Sequence, residues 1–169
     1  MSALTLITRF TSGVRVEGDR GGLAWDGIDA GIGTAPSTLL YGIDLRSTHR
    51  GRHLRHAAHE RLALLDERLS SGPDYRRVLV VVSVACARDA EYARPRLEAA
   101  AETVLQSAER RRGHSIALAV VVCPVSLDAA TVRSHLCDAA TGIPDGACAA
   151  LWDDVRAEGL RRALVRQHL

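Results

Sequence analysis

The chain contains no lysine and no asparagine, and only one phenylalanine. All 22 basic residues are therefore arginine; with 20 acids they leave a formal charge of +2. So small an excess excludes a protein that grips nucleic acid over its whole surface, and any electrostatic argument must be local. The codons of the missing residues are rich in A and T, so the bias is that of a GC-rich bacterial gene. An arginine in such a chain can be a default cation rather than a chosen bidentate donor.

Other shortages narrow the field further. No apolar run approaches the roughly 18 residues of a membrane-spanning helix, so no membrane partner is expected. Cys86, Cys123, Cys137 and Cys148 show no CxxC spacing. The start, Met1 to Arg9, lacks a basic region leading into a long apolar one. The expectation is a cytoplasmic chain with free thiols.

What remains is ordinary for a globular protein. At 169 residues, 47% hydrophobic and 25% charged, the chain suits one domain around one core. Residues 1–45 read as β-rich. Leu4–Phe10 and Val14–Glu17 flank a hairpin-like Thr11-Ser12-Gly13, with short strands at Leu23–Trp25 and Thr38–Leu45. Helical spacing then takes over. Leu54, Ala58, Leu62, Leu65 and Leu69 form an apolar stripe that predicts a helix over 49–70.

Val78–Ala85 and Ile116–Val122 are continuous apolar runs, the mark of strands covered on both faces. Between them a helix is predicted from Pro95 to Arg112, closed by Gly113. Ser126 opens another to about Ala140, and Asp145 a last one to about Arg166. The predicted fold is α/β and single-domain. An N-terminal antiparallel β meander (1–45) extends a mostly parallel βαβαβα sheet (46–142), and two C-terminal helices follow, the second filling 143–169.

In an open parallel sheet, ligands bind beyond the carboxyl ends of the strands, where helix N-termini attract anions. Three such junctions are expected, near Asp44–His49, Cys86–Tyr92 and Cys123–Ser126. They bring Arg46, Arg50 and Arg88 forward as anion contacts. Cys123 is the candidate nucleophile, His49 its base and Asp44 the group that orients the base. Cys86 occupies a matching place after the other buried strand. His53, His56 and Glu60 share a helical face with His49, and His, His and a carboxylate at this spacing could ligate zinc if another group completed the shell. Gly31-x-Gly33 has neither of the phosphate-loop spacings and reads as a turn. Asp26 and Asp29 could join Asp44 at a metal, though their spacing gives no support.

Residues 46–61 concentrate Arg46, Arg50, Arg52, Arg55 and Arg61 with four histidines against the single acid Glu60. The expected function is binding, or chemistry, on a phosphate- or carboxylate-bearing small molecule at the carboxyl edge. No cofactor can be named. The alternative is a non-catalytic subunit of a homo-oligomer or larger assembly, which Ala-rich helices and few aromatics also fit. Nucleic acid ranks last, because no aromatics interleave with the basic residues.

Overall fold

The computed structural model describes residues 14–19, 37–48, 51–124 and 143–166. Five strands form one sheet: β1 (Val14–Gly18), β2 (Thr38–Asp44), β3 (Arg77–Val84), β4 (Ala117–Pro124) and β5 (Gly146–Leu151). They lie side by side in chain order, and every neighbouring pair is parallel. The described helices are α1 (Arg52–Ser71), between β2 and β3, and α2 (Ala87–Arg112), between β3 and β4. Two short ones close the chain, α3 (Trp152–Glu158) and α4 (Leu160–Arg166).

The period of two along each strand sorts its side chains between two cores. Leu39, Tyr41 and Ile43 of β2 join Val78, Val80 and Val82 of β3 and Leu118, Val120 and Val122 of β4 beneath α1 and α2. Their neighbours in sequence, such as Leu40, Leu79, Val81, Ala119 and Val121, face the other way, onto Trp152 and Val155 of α3 and Leu160, Ala163 and Leu164 of α4. The result is a three-layer sandwich. Strands buried on both sides must be apolar at successive positions, which is why the Val runs were legible. Each fully buried Leu or Val contributes roughly 1.5–3 kcal/mol.

Three expectations need correction. The antiparallel meander is overturned: β1 pairs with β2 in parallel, from Val14 opposite Thr38 to Gly18 opposite Gly42. Parallel neighbours cannot be the two arms of a hairpin. The expected strands at Leu4–Phe10 and Leu23–Trp25, the Gly31-x-Gly33 turn, Asp26, Asp29 and the helix from Ser126 lie outside the described residues.

The second correction concerns α2, which begins at Ala87 and carries Pro95 inside it. Pro95 stands on the exposed side of the helix, where a carbonyl deprived of its N–H partner is open to water. The third concerns the C-terminus. Gly146–Leu151 is a strand, not the start of a helix, and Gly159, at φ 82°, separates α3 from α4. β5 is built of small residues, and α2 packs across it. Tertiary pairing with β4 overrides the helix preference of alanine.

Candidate functional site

The carboxyl edge is where β1 ends at Gly18-Asp19 and β2 at Asp44, and where α1 and α2 begin. It carries a polar network between the first two strands. The backbone N–H of Asp19 donates to the Gly42 carbonyl at 2.8 Å. That close crossing depends on two glycines: a Cβ on Gly42 would lie 1.9 Å from the Asp19 oxygen, and one on Gly18 would lie 2.4 Å from the Gly42 oxygen. Asp19 can then accept the Asp44 N–H at 3.2 Å and the Arg61 guanidinium at 3.3 Å.

Asp44 itself is occupied by Arg46. Nε and a terminal nitrogen of Arg46 donate to the two carboxylate oxygens at 2.9 and 2.7 Å, and the Arg46 N–H adds a third bond at 3.1 Å. The hydrogen bond from Arg46 holds the Asp44 carboxyl below its ordinary value, with partial burial opposing. Both residues expected at the site are thus present at the edge. They are joined to each other, however, and the Arg46 charge is matched by a carboxylate. Asp19 and its tie to Arg61 escaped the sequence reading, because no short-range pattern links residues 42 positions apart.

Beside this network rises the first half of α1. Its N-cap is Gly51, no side chain caps the helix, and no acid stands in the first turn. Arg52, His53, Arg55, His56 and His59 line an open hollow of about 470 Å³. All five are exposed, whereas Leu54, Ala58 and Leu62 on the opposite side of the helix are buried. His49 and Arg50 lie outside the described residues. Arg88 is exposed in the first turn of α2, beside the acid Asp89.

The metal alternative receives no geometric support. His56 Nε2 lies 3.3 Å from Glu60 Oε1, as an exposed i,i+4 pair. Among the described residues, no three His, Cys, Asp or Glu side chains converge as a metal would require. His56 and Glu60 pair with each other on a solvated helix face that also carries His53, and the three do not gather around a common point.

The thiols divide sharply. Cys123 is 2% exposed in the core beneath α3 and α4. Burial pushes its pKa up to about 12, the reverse of what a thiolate nucleophile requires. The expected depression by a helix N-terminus would need residues from 125 onward, which are not described. Cys148 is also buried; burial and then the Glu98 charge carry it to about 11. Cys86 is exposed at the N-cap of α2, and its Sγ donates to Asp89 at 3.3 Å. Its counterpart Cys123 stands opposite Ser83, facing the α3/α4 core.

Comparisons with family models, curated proteins and solved structures gave no significant match. Among the described residues, no helix is long and apolar enough to cross a membrane.

Proposed function

We propose that this chain binds an anionic small molecule, bearing phosphate or carboxylate, at the carboxyl edge of its sheet. The observation that carries the proposal is the hollow lined by Arg52, His53, Arg55, His56 and His59, at the end of a helix with no acid in its first turn. Positive charge there opposes the helix dipole by roughly 0.3–1 kcal/mol per residue. An anion reverses the sign, because the free N–H groups and the side chains then attract the same ligand.

Of the anion contacts expected from sequence, Arg46 is engaged by Asp44 and contributes at most through the network behind the hollow. Arg52 and Arg55 take its place, with Arg50 and His49 close by in sequence. Binding alone is proposed; a Cys123-based reaction finds no support in its buried environment. The homo-oligomer alternative is less favoured. Among the described residues the exposed large hydrophobics are Leu64 and Val165, too few for an apolar interface core.

The test is thermal denaturation in phosphate or sulfate against chloride at equal ionic strength. Phosphate should raise Tm above the chloride value, and Arg52→Ala with Arg55→Ala should remove the difference. An anion effect that is absent, or that survives the double substitution, ends the proposal.

A further inference from the structure

The opposite, amino edge of the sheet carries a separate arrangement. There α1 gives way to β3 through residues 72–76, and α2 gives way to β4 through residues 113–116. The second turn is fixed locally. Gly113 takes the left-handed conformation at φ 73° and donates to the Glu109 carbonyl at 2.8 Å. The Glu109 carboxylate accepts the Ile116 N–H at 2.9 Å. His114, between them, is held out toward the first loop.

Both ring nitrogens of His114 face oxygens. Nδ1 lies 3.0 Å from the Ser115 carbonyl, and Nε2 meets a carboxylate oxygen of Asp74. A carbonyl and an ionised carboxylate can only accept hydrogen bonds. Each nitrogen must therefore carry a hydrogen, and an imidazole with two is a cation. A neutral ring would leave one nitrogen lone pair against an oxygen lone pair.

We propose that His114 and Asp74 form a proton-operated clasp, closed when the imidazole is charged, which fastens the turn after α2 to the loop after α1. It is independent of the anion site, which lies at the other edge. The surrounding charges are Arg76, 3.9 Å from Asp74, and Arg112, 3.8 Å from it, together with Glu109, whose carboxylate is taken by Ile116. Arg112 also donates to the carbonyls of Leu69 at 2.9 Å, Gly72 at 2.7 Å and Pro73 at 3.2 Å. The first loop thus keeps a permanent tie when the titrating one opens, and opening is local.

The electrostatics agree in sign. The hydrogen bond to Ser115, then that to Asp74, raises His114 above its ordinary 6.5, with Arg76 opposing. The hydrogen bond from His114 lowers Asp74 below its ordinary 3.8. The His114 contribution is complete below pH 6.5 and is lost as pH rises through the folded-state value. The Asp74 contribution is complete above pH 3.8 and is lost as pH falls through its own folded-state value. The clasp is tightest between those two limits.

The test is an NMR titration of the His114 ring, with amide-exchange protection factors measured at several pH values. His114 should titrate above its ordinary value, and Asp74→Asn should lower that midpoint. Protection of amides in 74–76 and 113–116 should fall several-fold as His114 becomes neutral, while the sheet amides stay unchanged. In His114→Gln the pH-dependent fall should vanish. A His114 midpoint at or below the ordinary value overturns the proposal, as does protection indifferent to the titration. Because Asp74 is largely exposed, its substitution leaves the fold available for measurement.

Discussion

Asp44 and Arg46, two residues apart beyond the core of β2, close on each other through two parallel hydrogen bonds of 2.9 and 2.7 Å. The pair turns a cation that would otherwise face the edge back onto the strand end. Both side chains remain about a third exposed, at 36% for Arg46 and 29% for Asp44, so solvent screens their attraction. Arg46→Ala should therefore destabilise the fold only slightly and should leave any phosphate-dependent Tm shift in place. Its stability difference from the parent should shrink as pH falls below 3.8, where Asp44 protonates in the unfolded chain and then in the folded one. Loss of the phosphate shift in this variant would mean that Arg46 reaches the ligand after all.

A second relationship at the same edge is steric. Gly42 and Asp19 approach so closely that a methyl group at position 42 would sit 1.9 Å from a backbone oxygen. Backbone on both sides gives no flexible side chain to move aside. Gly42→Ala should destabilise by about 3 kcal/mol, at the upper end for overpacking, and should disturb the Asp19–Asp44–Arg61 network. Urea denaturation checks the first expectation, and amide exchange at Asp19 and Asp44 the second. A variant as stable as the parent would show that β1 does not cross β2 in this manner.

The thiols offer a chemical test. At pH 8, iodoacetamide should modify Cys86 first, because it is exposed, while Cys123 and Cys148 react only as the protein unfolds. Peptide mass spectrometry resolves the order. Labelling of folded Cys123 as fast as Cys86 would contradict its burial and restore the case for a nucleophile at the end of β4.

How far the sequence was legible follows from which forces act over short range. The α1 stripe Leu54, Ala58, Leu62, Leu65 and Leu69 is the set that the structure buries, because a single helix face decides it. The Val runs at β3 and β4 were equally plain, since burial on both faces leaves no room for polar residues. β5 was not legible. Gly146-Ala-Cys-Ala-Ala-Leu has helix-forming residues and a plausible cap at Asp145, and only pairing with β4 makes it a strand. Pro95 misled in the same way: its place inside α2 depends on which side of that helix meets water.

At the site, the sequence located the carboxyl edge and its basic segment but not the internal pairing. Sequence spacing cannot say that Arg46 folds back on Asp44, or that Arg61 reaches Asp19 on a distant strand. The place of Cys123 after a strand suggested an edge, whereas the strand's period of two turns its side chain into the core.

The basic start of α1 makes one further expectation. Its first turn lacks the acid that α2 and α3 set against the dipole, Asp89 in the one and Asp153 and Asp154 in the other; the short α4 has none either. If Arg52 is kept for a ligand, it is kept at some expense of stability. Arg52→Glu removes a repelled charge and supplies an attracted one in a single exposed position. In chloride the variant should be more stable than the parent, by about 0.3–1 kcal/mol from the dipole alone. In phosphate it should gain less than the parent does, because a carboxylate now stands where the anion would sit. The two effects have opposite signs, so neither a general loss of fold nor a general response to salt can imitate both. Denaturation curves in the two salts separate them. A variant destabilised in chloride would show that Arg52 has a structural role, whereas an undiminished phosphate gain would remove Arg52 from the anion site.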